Sequence, residues 1–189
     1  MRDMEKNVRF HGNKTRDIVF IAMFAVLIAV CSWISIPTAI PFTMQTFAVY
    51  LALDFLGAKK GVTAVLIYLL MGILGLPVFA NLTSGIGILF GMTGGYMIGW
   101  IFSGFVMGIA EKLLGRKLWA RGVSMLLGLL VCYTMGTIWF LVIYTRSAGA
   151  VGVGTVLLWC VVPFVIPDVA KLGLALEISR RLEKITRSM

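Results

Sequence analysis

Apolar residues gather into six long runs, about 18–36, 42–56, 61–76, 86–110, 123–144 and 152–179, with charges and Pro/Gly clusters between them. An α-helix needs roughly 20 apolar residues to cross a bilayer, so each run is a candidate span. The pattern predicts an all-α integral membrane protein with six transmembrane helices, the last interrupted by Pro163 and Pro167. Between the runs lie IPTAIP (36–41), GAKK (57–60), LPVFANLTSG (76–85), EKLLGRKLWAR (111–121) and TRSAGAVG (145–152). Residues 1–17 read as a basic arm, and residues 18–189 as one membrane domain with a short basic C-terminal tail. The first run continues to about Ile36 without a small-residue cleavage site, which predicts a retained helix in place of a signal peptide.

Charge placement gives the expected topology. Arg2, Lys6, Arg9, Lys14 and Arg16 lie in the arm, and Lys59 and Lys60 in the first short turn. Lys112, Arg116, Lys117 and Arg121 lie in the 111–121 segment, and Arg180, Arg181, Lys184 and Arg187 in the tail. Six spans put all of these on one side and leave only Arg146 opposite, with Lys171 inside a span. The positive-inside rule makes the crowded side, and both termini, cytoplasmic.

Composition fits this reading. The chain is 60% hydrophobic and 13% charged, with a mean hydropathy of +0.98, whereas soluble domains are about 25% charged. The net charge of +9 is therefore a topology signal and predicts no nucleic-acid partner. Cys31, Cys132 and Cys160 each sit in an apolar run with no C-x-x-C spacing, so neither a disulfide framework nor a metal site is indicated.

Two stretches carry small-residue spacing. Gly87, Gly91, Gly95, Gly99 and Ser103 recur every four residues, and Gly104 and Gly108 repeat the interval. Where helical, this stripe lets another backbone approach closely, for packing within the bundle or for an intermolecular contact. Ala22, Ala25 and Ala29 give the first helix a smooth face. The apolar LPVFANLTSG segment, which carries no charge and contains Asn81, either folds back over a cavity or forms an ordinary turn.

Chemistry is sparse. There is no G-x-x-x-x-G-K-[ST], G-x-S-x-G or H-E-x-x-H motif, and the only histidine is His11, in the arm. Nothing points to an enzyme, and no cofactor is implied. What stands out is IPDVAK, where Asp168 and Lys171 occur three residues apart inside a span. A charge at the centre of a spanning helix costs about 2.5–3.5 kcal/mol on insertion scales. Pro167 is suited to open a helix, which would place Asp168 in the first turn, where the helix dipole favours an anion. The pair is either a self-neutralising structural ion pair or a site for a small polar solute with both donors and acceptors.

PFTMQTFAVYLA (41–52), AKKG (58–61), GLPVFA (75–80), GMTGGYMIGW (91–100), GTIWF (136–140) and PDVAK (167–171) run together from near residue 22 to the tail. In this combination the chain resembles the BioY family, the biotin-capturing S components of energy-coupling-factor (ECF) vitamin transporters. Met92 stands where that family often has proline before TGGY, and ANLTSG replaces a commoner glycine-rich stretch.

The resemblance implies a six-helix subunit of a bacterial cytoplasmic membrane that binds biotin on its outward side. Its implied partners are a transmembrane coupling protein (the T component) and two cytoplasmic ATPases, which would supply the absent phosphate-binding loop. Asn81, Asp168 and Lys171 are the implied polar contacts to biotin, with Gln45, Thr43, Tyr96 and Trp139 as wall residues by motif position. Ala22, Ala25 and Ala29 become the expected docking face for the coupling subunit. The alternatives are an S component for another vitamin, such as thiamine or riboflavin, or a membrane scaffold in which the Asp-Lys pair is structural.

Overall fold

The computed structural model describes residues 14–36 and 41–188. The basic arm as far as Asn13, including His11, lies outside the described residues, as do residues 37–40. Its last four positions form the first turn of helix α1 (Lys14–Trp33), where Asp17 accepts a 2.6 Å hydrogen bond from Lys60.

A short antiparallel hairpin follows, β1 (Ser35–Ile36) with β2 (Phe42–Thr43), pairing Ser35 with Thr43 and Ile36 with Phe42. Next come α2 (Gln45–Phe55), α3 (Ala58–Ile73), a single 3₁₀ turn at Ala80–Leu82, and the short α4 (Ile86–Phe90). The remaining helices are α5 (Gly94–Leu114), α6 (Leu118–Ala148), α7 (Val153–Cys160) and α8 (Val162–Ser188). Among the described residues α1, α5 and α6 are long and apolar enough to cross a membrane, as is α7 with α8, bent by 41° at their junction, if that pair is one span.

The runs at 42–56 and 61–76 become helices of 11 and 16 residues. At 1.5 Å per residue α2 is about 17 Å long, much less than a bilayer core. Every α2 residue except Thr46 is buried. Its apolarity reflects neighbouring helices on all sides, which a hydropathy pattern cannot distinguish from lipid. The run at 86–110 is split at 91–93. The expected 111–121 loop shrinks to 115–117, where Gly115 (φ 77) closes α5 by donating to Glu111 O.

The break in the last span falls at Val161, not at either proline. Pro163 lies in the first turn of α8 and Pro167 inside the helix. This corrects the expectation for Asp168, which sits in the second turn and is stabilised by side chains in place of a helix terminus.

From Gly95 onward the small-residue stripe packs the bundle internally. A Cβ on Gly95 would lie 2.1 Å from the Trp139 Cβ, one on Gly99 3.1 Å from the Cys132 Cα, and one on Gly104 2.2 Å from Val62. Ser103 donates to Gly128 O at 2.7 Å, so α5 and α6 touch nearly backbone to backbone. Gly87 faces open space.

The first helix turns most of its small-residue face inward. Ala25 and Ala29 are 1% and 3% exposed because they pack into the core shared with α2 and α3, and only Ala22 faces outward.

At the C-terminal end of α2, Asp54 receives a two-pronged guanidinium from Arg121, with Nε to Oδ1 at 3.0 Å and Nη2 to Oδ2. Arg121 also reaches Ser179 Oγ (2.8 Å) and Glu183 (3.1 Å), while Arg116 donates to Asp54 O (2.9 Å) and Glu183 (3.2 Å). Arg121, expected as a loop charge, thus fastens α2, α6 and α8 together. Replacing it by Met leaves Asp54 buried without a counter-charge, which should cost about 3–5 kcal/mol. The unfolding midpoint in detergent, followed by tryptophan fluorescence, is expected to fall clearly for Arg121→Met and to stay in place for the exposed Arg181→Met. Equal midpoints would remove the stabilising role assigned to the cluster.

Candidate functional site

Nine residues before Asp54, at the other end of α2, lies a cavity of about 390 Å³. Small-molecule sites span about 300–1,000 Å³, so one compact solute fits. The β2 strand, the start of α2, the 76–85 loop, α5, α6 and α8 supply its walls.

The loop is pinned by its backbone. Ser32 Oγ lies 2.5 Å from Val78 O, and Trp33 Nε1 donates to Pro77 O at 2.9 Å. Phe79 N–H donates to Thr83 O (3.0 Å) and Gly85 N–H to Gly72 O (2.8 Å). Phe79, 1% exposed, lies edge-on to Tyr68 and over Gly72, where a Cβ would meet its ring at 2.0 Å. So anchored, the chain holds Asn81 and Leu82 in the left-handed region, at φ 56 and 57. Two adjacent non-glycine residues in that region store strain of the kind that collects at ligand clamps. Ser35 Oγ donates to Asn81 Oδ1 at 2.9 Å, which leaves the Asn81 amide N–H groups for a ligand. Of the two readings of this segment, folding back over a cavity is the one observed.

At the inner wall α8 presents Asp168 and Lys171, 4% and 6% exposed. Lys171 Nζ donates to Asp168 Oδ1 at 2.8 Å and to Thr43 O at 2.7 Å, and lies 4.0 Å from the centre of the Phe42 ring. Phe42 in turn stacks on Phe164, with 5.9 Å between centroids. Tyr133, on α6, donates its hydroxyl to Asp168 Oδ2 at 2.8 Å. Each carboxylate oxygen keeps one further lone-pair direction for an incoming donor.

Gln45 and Thr43 line the cavity as expected. Gln45 donates one side-chain N–H to Tyr68 OH at 2.6 Å, which leaves its carbonyl oxygen and its second N–H for a ligand. Tyr96 also lines the cavity. Its hydroxyl is buried with no hydrogen-bond partner among the described residues, like that of Thr137. Trp139 is not brought to the cavity. It stands behind the wall, donating Nε1–H to Gly91 O at 2.9 Å and packing on Gly95, so it supports the α4–α5 junction.

Sequence reasoning missed Tyr133, Phe42 and the apolar floor of Met97, Trp100 and Leu129. A signal for Tyr133 exists: a tyrosine inside an apolar span needs a partner for its hydroxyl, and Asp168 is a carboxylate within another span. The residues of the floor have the same types as lipid-facing ones, and nothing in their spacing separates them.

A paired carboxylate, amides, hydroxyls and apolar walls surround a solute-sized space. Fold and cavity together describe a multi-pass membrane protein with a cavity of the size and lining to accept a small polar solute. A family model described as the BioY family matches residues 4–188. The biotin transporter BioY of Thermotoga maritima is 41% identical over 175 residues, covering 90% of this chain and 97% of that protein. The probable biotin transporter BioY of Pyrococcus horikoshii is 37% identical over 171 residues, covering 90% and 98%. Among solved structures, a crystal structure of the S component for biotin from an ECF-type ABC transporter superposes with a TM-score of 0.80 at 27% identity, covering 90% of this chain and 92% of that one. The chain belongs to the BioY family, a family of transporter subunits that are not enzymes.

The geometry around Asp168 predicts a non-additive pair. Lys171→Met alone leaves a buried carboxylate uncompensated, a loss of about 3–5 kcal/mol, whereas adding Asp168→Asn removes that charge and should recover most of the stability. Thermal unfolding of the two single variants and the double variant measures this, and additive losses would show that the two groups act independently.

Proposed function

We propose that this chain is the biotin-capturing S component of an ECF-type transporter. It holds biotin in the cavity between the 76–85 loop and α8 and performs no chemistry itself. The observation that carries this is the Asp168–Lys171–Tyr133 constellation facing Asn81 and Gln45 across a space the size of one small solute. Biotin's ureido ring offers two N–H donors and one carbonyl acceptor. Asp168 accepts one ureido N–H on a free lone pair, and the Asn81 amide donates to the ureido carbonyl. Gln45 Oε1 and Thr43 border the same ring, while Phe79, Met97, Trp100 and Tyr96 enclose the thiophane ring and the start of the valerate stem. Trp139 contributes by holding the α5 wall in place.

In the membrane, six segments cross: α1, α2, α3, α4 with α5, α6, and α7 with α8. The short α2 crosses within a sleeve of protein. Both termini face the cytoplasm of a bacterial cell, and the cavity opens outward. Uptake is driven by ATP hydrolysis in two cytoplasmic ATPases, joined through a transmembrane coupling protein. Of the three alanines on α1, Ala22 is exposed and available for that docking.

Intrinsic tryptophan fluorescence of the purified protein in detergent should saturate with biotin and stay unchanged with riboflavin or thiamine. Asp168→Ala and Lys171→Ala should each weaken biotin binding about hundredfold or more, and Tyr133→Phe about tenfold, in line with losing charge-assisted hydrogen bonds. Unchanged affinity in both alanine variants would refute the site assignment, and no biotin binding by folded protein would refute the ligand. For topology, a membrane-impermeant thiol reagent applied to intact cells should label Gly149→Cys and leave Lys117→Cys unlabelled. The opposite pattern would invert the orientation.

A further inference from the structure

We infer that the site reads the ring of its ligand and not the charge on its tail, so that it takes ureido-ring ligands with an uncharged tail about as well as biotin. The inference rests on the biotin reading above and deepens it. Biotin carries a carboxylate, and a site that selects for that charge needs a cation free to meet it.

Lys171 is the only lysine, arginine or histidine among the described residues lining the cavity, and residues 37–40, Pro-Thr-Ala-Ile, add none. Its ammonium is already engaged by Asp168 Oδ1, by Thr43 O and by the Phe42 ring, at 2.8, 2.7 and 4.0 Å. Turning it toward a ligand carboxylate would leave Asp168, 4% exposed, as a buried charge without compensation, which is strongly unfavourable. Placing the carboxylate beside the intact pair instead sets a second anion against Asp168, and like charges at close range repel. The pair is electrically neutral and has no attraction left for a net negative tail.

The other side-chain donors at the walls are uncharged. Tyr133 donates to Asp168 and Gln45 gives one N–H to Tyr68, while the second Gln45 N–H and the buried Tyr96 hydroxyl remain as neutral donors. At the start of α5, Gly94 N–H donates to Gly91 O and Tyr96 N–H to Thr93 O, so two of the amides of that helix end are already taken. Asn81 and Thr83 stand at the exposed rim, and both are neutral. A carboxylate there meets water and uncharged donors, which separate it only weakly from an amide of the same shape. Tail-conjugated biotins, such as the amides formed with an amine, therefore belong to the ligand class of this site.

Equilibrium binding of three ligands to the purified protein in detergent tests this: biotin, its primary amide, and biotin methylated on a ureido nitrogen. The amide keeps the shape of the carboxyl group and removes its charge. Expected are an amide affinity within about tenfold of biotin's and a loss of more than about hundredfold for the ureido-methylated ligand. Tight biotin binding with an amide weaker by more than about tenfold would overturn the inference while leaving the biotin reading intact. A ureido-methylated ligand that binds as well as biotin would also overturn it. Failure of biotin itself to bind the folded protein would remove the biotin reading, and the inference with it.

Discussion

The Lys171 ammonium is the point at which the cavity end of this protein is assembled. Its partners come from three elements: Asp168 on its own helix, the Thr43 carbonyl and the Phe42 ring on the hairpin, and, through Asp168, the Tyr133 hydroxyl of α6. Removing a charge from water is costly unless geometry and hydrogen bonds compensate, and here every donor has a partner. The outcome is a wall that is polar, neutral overall and rigid, since moving any one member leaves another unsatisfied. A wall of this kind suits recognition of a ring by fixed hydrogen bonds.

Two buried ionic groups lie at opposite ends of α2 and do different work. The Asp54–Arg121–Glu183 cluster closes the basic end, where salt bridges and backbone contacts leave no room for a solute. The Asp168–Lys171 pair faces open space. Between them α2 is enclosed by protein and carries Gln45 and Tyr50, whose side chains are paired with Tyr68 of α3 and Ser103 of α5. The core helix thus ties the two ends together mechanically, and Gln45 belongs both to the core and to the cavity.

Close approach of α5 and α6 sets the width of the cavity. Glycine at 95, 99 and 136 lets the two backbones meet, and the Tyr96 ring then covers Gly136, where a Cβ would clash at 2.1 Å. That contact directs Tyr96 toward the cavity and leaves Trp139 outside it. Both residues occur in aromatic motifs of similar appearance, and only the crossing of the helices assigns them opposite roles.

By itself the sequence determined what depends on local composition and order: a helical membrane protein, charge gathered at one end, and an intramembrane Asp-Lys pair three residues apart, which a helix necessarily brings together. The motif set from PFTMQT to PDVAK was enough to identify the family. Tertiary structure decided whatever depends on which surface a residue meets. Hydropathy scores lipid and protein neighbours alike, so the burial of α2 and of Ala25 and Ala29 was invisible, as was the apolar floor of the cavity. Arg121 reads as a loop charge until Asp54, 67 residues away, is folded against it. Lys171 reads as a cation available to a ligand until the hairpin carbonyl of Thr43, 128 residues away in the chain, takes one of its protons. Such pairings arise from helix packing over long separations, which local pattern does not encode.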